Sequence, residues 1–171
     1  PGTTVEVTRG KASLGDKAFE VIDTPGMYSL LPITEEERVA RSMLLEGSPE
    51  VVVQVADAKN VGRMLHLTLQ LMEAELPVLL ELNLMDETER LGMTIDTGLL
   101  GEELGIPVVG TVATDGLGMD ELKEKVIQYE KKTHRLFKYD DVIEIAIDRV
   151  QKTLKGRYNI SKRAIALLLL Q

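Results

Sequence analysis

From Glu50 onward the chain alternates short β-branched apolar runs with longer segments whose apolar residues recur at helical spacing. This predicts an α/β fold: a mainly parallel sheet flanked by helices. Two further observations complete the class. The strand runs at 51–56 and 78–82 are continuously apolar rather than alternating, as in strands covered on both faces. After Lys132 the strand pattern stops and only helical stripes remain, so a small all-helical unit follows. The expected division is 1–132 for the α/β domain and 133–171 for the start of the helical one.

Taken in order, Val5, Val7 and the run Phe19-Glu20-Val21-Ile22 read as two extended segments, with Gly15-Asp16 as the turn of a hairpin. Val21-Ile22 is expected to be one of four buried strand runs. Residues 23–32 are rich in turn formers and read as a loop. Thr34 followed by Glu37 matches a capping box, and Val39, Met43 and Leu44 continue at helical spacing towards a stop near Gly47. A strand at 51–56 leads to a helix at 61–74, which ends before Pro77. The strand at 78–82 precedes a short helix at 87–90 and another at 97–104. A strand at 106–109 and an amphipathic helix at 119–131 close the first unit. In the second, Val142, Ile145, Ala146, Arg149, Val150 and Leu154 form one stripe, 156–160 interrupts it, and 161–170 starts another helix.

With 171 residues, 44% hydrophobic and 28% charged, the chain can bury a sizeable core. Its net charge of −8 disfavours a nucleic-acid partner. Without cysteine it has neither a disulfide framework nor a thiolate metal site. No apolar run approaches the roughly 18 residues of a membrane span. Both ends read as internal to a longer polypeptide.

Ligands of open parallel sheets bind beyond the carboxyl ends of the strands, and three strand runs here end in polar or small motifs. Val21-Ile22 leads into Asp23-Thr24-Pro25-Gly26, the run at 78–82 into Asn83-Leu84-Met85-Asp86, and Val108-Val109 into Gly110-Thr111-Val112-Ala113-Thr114. Asp23 can hold a water on a phosphate-bound magnesium ion, and Gly26 can offer its N–H to a terminal phosphate. A strand-ending turn explains the same residues. Asp86 can accept from guanine N1–H and the exocyclic amino group, a donor pattern adenine lacks, while Asn83 would tie neighbouring loops together. Helix capping is the structural alternative for both. Thr4 is a candidate hydroxyl ligand for magnesium, or an exposed residue at a strand start. Asp57-Ala58-Lys59-Asn60 reads as a strand-to-helix turn, His66 as packing or solvated, and Glu35-Glu36-Glu37 as a helix N-terminus, with water positioning by one of the three as the alternative.

In combination these residues resemble the bacterial ferrous iron transport protein B family. Gly2-Thr3-Thr4-Val5-Glu6 and Asp23-Thr24-Pro25-Gly26-Met27-Tyr28-Ser29-Leu30 look like its switch regions, and Asn83-Leu84-Met85-Asp86-Glu87 like its base-reading motif. Val55-Ala56-Asp57-Ala58-Lys59-Asn60 and Leu67-Thr68-Leu69-Gln70-Leu71-Met72-Glu73 are similar to the stretch between them. The tail, with Arg163-Ala164-Ile165-Ala166-Leu167-Leu168-Leu169-Leu170, looks like the start of its helical spacer. The resemblance covers residues 1–130. It implies a Ras-like P-loop GTPase fold, GTP/GDP and Mg2+ as ligands, and K+ as a further candidate ion. Thr4 and Asp23 would serve magnesium, the latter through water. Thr24 and Pro25 would complete the second switch with Gly26. Asn83, Leu84, Met85 and Asp86 would read guanine, and the backbone of Val112, Ala113 and Thr114 would touch the base. The implied setting is the cytoplasmic face of a bacterial inner membrane. The implied partners are the membrane-spanning region of the same polypeptide and, as a further candidate, a second copy of the chain.

Three departures sharpen the comparison. Leu84 stands where most GTPases have lysine, which favours the iron-transport branch. Met27 replaces the water-orienting glutamine of Ras-like enzymes, which predicts slow hydrolysis or water orientation by backbone groups or another residue; no catalytic residue is assigned. No G-x-x-x-x-G-K-[ST] occurs; the resemblance puts that phosphate loop and its strand before Pro1, so the expected fold lacks its first strand. The parent protein is expected to hydrolyse GTP, and this segment alone to bind it weakly. Two alternatives are a soluble assembly-type GTPase, against which the absence of a basic RNA-binding surface counts, and a non-catalytic interaction module that has lost the nucleotide.

Overall fold

The computed structural model describes residues 7–130, 137–158 and 160–170. Gly2, Thr3, Thr4, Val5, Glu6 and His134 lie outside them. Strands β1 (Thr8–Leu14) and β2 (Lys17–Asp23) form an antiparallel hairpin closed by Gly15-Asp16. Gly15 has a φ of +57°, a conformation that glycine takes without a Cβ penalty.

A loop then leads to α1 (Glu35–Glu46). Both halves of its capping box are made: the Thr34 hydroxyl accepts the Glu37 N–H, and the Glu37 carboxylate accepts the Thr34 N–H. The same carboxylate accepts the Ile33 N–H at 2.7 Å. The helix ends at Gly47, as its sequence predicts.

The main sheet is parallel, in the order β3 (Val52–Asp57), β4 (Val78–Asn83), β5 (Val108–Gly110). Helix α2 (Val61–Glu73) connects the first pair. Helices α3 (Met85–Arg90) and α4 (Thr97–Leu104) connect the second, and α5 (Met119–Ile127) follows. Leu67, Leu71 and Met72 of α2 share the core with Val78, Leu80 and Leu82 of the central strand. Further on, α6 (Asp141–Thr153) packs against α7 (Lys162–Leu170). Ala164 of α7 is buried in the same core as α2, with Phe137 and Leu168 packed beside it. No described helix is long and apolar enough to cross a membrane.

Val21 and Ile22 lie in a strand as expected, but the expected burial fails: they are 49% and 39% exposed. Adjacent strand residues point to opposite faces, so at this place neither face of the hairpin is covered. Among the described residues β2 pairs only with β1, and β3 only with β4. The hairpin therefore stands apart from the parallel sheet, and Val55 on β3 is 59% exposed.

Three boundaries also shift. Helix α3 begins at Met85 rather than 87, which places Asp86 inside its first turn. Strand β5 begins at Val108 rather than 106, although the ladder reaches back one residue, the Leu80 N–H donating to the Pro107 carbonyl at 3.0 Å. Helix α5 stops at Ile127, where Gln128 caps it and Tyr129 leaves the spiral, instead of running to 131.

Candidate functional site: a nucleotide-reading loop layer

Strand β4 ends at Asn83, and this side chain organises the loops around it. Its Oδ1 accepts the Leu84 N–H at 2.8 Å and the Ala113 N–H at 3.1 Å. The loop after β4 is thereby joined to the loop after β5, the role the sequence suggests for Asn83. The backbone repeats the tie: the Met85 N–H donates to the Thr111 carbonyl at 3.1 Å, and the Thr111 N–H to the Leu82 carbonyl at 2.8 Å.

Leu84 enters α3 in the left-handed region, at φ 64° and ψ 36°. That conformation costs a leucine roughly 1–2 kcal/mol, and the crossed hydrogen bonds on either side of it hold it there. Neither Asn83 nor Asp86 caps α3: Leu84 is the capping position and makes no side-chain hydrogen bond there. The capping explanation therefore fails for both residues. Met85 lies partly buried against the core. Asp86 is partly exposed and pairs with Arg90 at 2.7 Å, one turn along the helix.

Val112 is buried and bridges to Leu117, closing a tight turn over a 3-10 segment, Ala113–Asp115. Ala113 and Thr114 are exposed beside Asn83. Gly118 lets this turn approach the strand: a Cβ there would meet the Gly110 carbonyl oxygen at 2.2 Å.

Asp23 ends β2, and its exposed carboxylate makes no hydrogen bond or ion pair among the described residues. Thr24 and Pro25 are partly buried, and a Cβ at Gly26 would meet nothing within 4 Å, so its backbone faces open space. Met27 is turned away into the core at 9% exposure, unable to reach a water in this loop. No hydrogen bond or ion pair joins Asp23 and Gly26 to the layer built on Asn83 among the described residues. Glu35, Glu36 and Glu37 occupy the first turn of α1, as expected.

Several contacts escape sequence reasoning. Lys59, in the turn that Asp57 caps, reaches across to Glu87 of α3, which raises its pKa. Nothing in the sequence pairs these residues, whereas Asp86 and Arg90 do have the spacing of a helical ion pair. Behind the second loop, the Leu30 N–H donates to Gln70 Oε1 at 2.7 Å, and the Arg63 guanidinium lies 4.7 Å from the centre of the Tyr28 ring. Farther along α2, Glu73 faces Arg163 of α7 at 3.4 Å. Arg163 also donates to both oxygens of Glu144, at 2.7 and 2.8 Å, and to the Phe137 carbonyl at 2.8 Å. The paired guanidinium holds the Glu144 carboxyl down at about 2, while burial pushes that of Glu73 up.

Parallel strands that end in two cross-tied polar loops, beside a hairpin that ends in Asp-x-x-Gly, define a Ras-like α/β domain. The chain belongs to the ferrous iron transport protein B family, whose model matches residues 1–126. It is 38% identical to the Fe(2+) transport protein A/Fe(2+) transporter FeoB fusion protein of Porphyromonas gingivalis, over 99% of this chain and 21% of that protein. The apo cytosolic domain of the T. maritima FeoB iron transporter superposes with a TM-score of 0.90 at 39% identity, covering 99% of this chain and 69% of that one. Its GMPPNP form gives 0.88 at 37% identity, covering 98% and 68%. The chain spans about a fifth of the length of the curated relatives it matches.

Proposed function

We propose that this chain is the guanine-nucleotide-binding, slowly GTP-hydrolysing regulatory part of a longer bacterial Fe(II) uptake transporter, acting at the cytoplasmic face of the inner membrane. The observation that carries this reading is the hydrogen-bonded tie between Asn83 and Ala113. It brings the candidate base reader, Leu84, Met85 and Asp86, against the candidate base-contacting backbone of Val112, Ala113 and Thr114. Relatives crystallised in GDP and GMPPNP forms support it.

Asp86 accepts two hydrogen bonds from the guanine edge, while Arg90 holds one side of its carboxylate. Leu84 covers the base face through apolar contact. Gly26 offers its N–H to the terminal phosphate. Asp23 fits magnesium: the ion prefers oxygen ligands, keeps several waters and leans on substrate phosphates rather than on a protein cage. Thr4 is the second magnesium residue in this reading, and Gly2, Thr3, Val5 and Glu6 flank it. Bound magnesium supplies neutralisation of phosphate charge. K+ is the further candidate ion. With Met27 buried, its side chain orients no water, and hydrolysis is slow unless another residue or the backbone does so.

The nucleotide state moves the segments at 2–6 and 23–38, and the helices beyond 133 pass the movement to the membrane part of the same polypeptide. The decisive experiment is Asp86→Ala in the full-length protein. GDP should bind more weakly and no longer be preferred over IDP, because the lost carboxylate is what reads the exocyclic amino group. Unchanged discrimination would refute the assignment.

A further inference from the structure

Glu81 sits in the central strand at 4% exposure, flanked in register by Val55 and Val109. A carboxylate in such a place is strongly disfavoured unless it is partnered, and an apolar residue of similar size stabilises a fold as well or better. Packing therefore does not explain Glu81. Among the described residues its carboxylate accepts one hydrogen bond, from the hydroxyl of Thr111.

Thr111 is the hinge of the loop layer. It is buried, and its backbone bonds to both Leu82 and Met85. Its hydroxyl lies 3.3 Å from Asn83 Oδ1 as well. A hydroxyl has one proton to give. While Glu81 takes it, Asn83 Oδ1 stays open to the N–H groups of Leu84 and Ala113. Without Glu81 the hydroxyl turns to Asn83 and competes with the Ala113 N–H. Glu81 and Asn83 are two residues apart on one strand and so share a face.

We infer that Glu81 is a positioning residue for base recognition: by holding the Thr111 proton it keeps the Val112-Ala113-Thr114 loop fastened to Asn83. This rests on the guanine reading above. Such a residue acts on the loop that touches the base, not on the Asp86 carboxylate, so its loss has a distinct signature.

The test uses the full-length protein and fluorescent GDP and IDP. Glu81→Met, an isostere without an acceptor, should weaken GDP and IDP together by about tenfold, leaving their ratio intact, with no fall in Tm. Glu81→Gln, which keeps an acceptor for Thr111, should bind within about twofold of the parent. Glu81→Met/Thr111→Val removes the freed hydroxyl as well, should fold even where the single variant does not, and should bind closer to the parent than the single variant, since no hydroxyl is left to compete at Asn83. Parental affinity in both Met variants overturns the inference, as does a Gln variant as weak as Glu81→Met, or a loss that follows a lowered Tm. Asp86→Ala, run alongside, should collapse the GDP to IDP ratio. If it does not, the guanine reading fails; if it does while Glu81→Met changes nothing, only the role of Glu81 fails.

Discussion

Replacing Arg163 with methionine tests how α7 is held to α2. The side chains of Arg163, Glu73 and Glu144 are 15%, 6% and 24% exposed. Losing the guanidinium leaves Glu144 near water, but strands Glu73 inside, where neither of its oxygens has a hydrogen-bond donor among the described residues. Glu73 escapes by taking a proton. From an ordinary value of 4.5, this limits its penalty at pH 7 to about 3.4 kcal/mol, at roughly 1.36 kcal/mol per pH unit. The lost bond to the Phe137 carbonyl adds about 1 kcal/mol. Arg163→Met should therefore destabilise by about 2–3 kcal/mol more at pH 7 than at pH 5, where protonation of Glu73 is nearly free, while the losses at Glu144 and Phe137 are the same at both. Adding Glu73→Leu should remove most of that pH dependence. Urea unfolding followed by circular dichroism at both pH values reads these differences. A loss that is the same at pH 5 and pH 7 would refute the placement of the cost on Glu73.

Glu144 titrates in the opposite sense. Its folded pKa of about 2 lies below the ordinary 4.5, so its contribution is complete above 4.5 and is lost as pH falls from there towards 2; acid unfolding curves of Glu144→Gln should lack that component. Thr34→Ala removes one arm of the capping box and should lower stability by about 1 kcal/mol, measured as a shifted urea midpoint. Leu84→Gly should raise stability by up to about 1 kcal/mol by relieving the left-handed backbone, yet weaken guanine-nucleotide affinity in the full-length protein; equal affinity would remove Leu84 from the base face. The 171-residue chain, which has no G-x-x-x-x-G-K-[ST], should bind a fluorescent guanine nucleotide weakly, and tight magnesium-dependent binding would contradict this.

What was legible in the sequence was whatever neighbouring residues decide. The capping box at Thr34 and Glu37, the helix over Thr97–Leu104 and the turn at Gly15-Asp16 depend on spacings of a few residues, and all three form. The reach of Asn83 into the next loop was legible because a partly buried amide beside a strand end finds donors in the loops around it. Burial of Val21 and Ile22 was not, because it depends on which strand lies alongside β2 and not on β2 itself. The left-handed turn at Leu84 was equally hidden, since leucine carries no preference for it. The contacts Leu30 to Gln70, Lys59 to Glu87 and Glu73 to Arg163 join residues far apart in the chain, which no local pattern encodes.

Two of those long-range contacts, Leu30 to Gln70 and Glu73 to Arg163, meet on one helix. Gln70 of α2 accepts the backbone of Leu30, four residues beyond Gly26, and Glu73, three residues further along α2, faces Arg163 of α7. Residues three apart share a helical face. The grip at the first end is also apolar, since Leu30 and Met27 are buried in the same core as Leu71 and Met72. A displacement of the loop after β2 must therefore either break the Leu30 bond and reopen that core or carry α2 with it. Cores packed to crystal density resist the first outcome, so α2 is the stiffer path between the Asp23 loop and the helical pair. If that path operates, Gln70→Leu, which removes the acceptor and keeps the bulk, should leave nucleotide affinity close to the parent while separating the loop from α7. The reading is amide exchange in α7 of the full-length protein with GDP and with GMPPNP: a difference between the two states in the parent that survives Gln70→Leu unchanged would rule the helix out as the link.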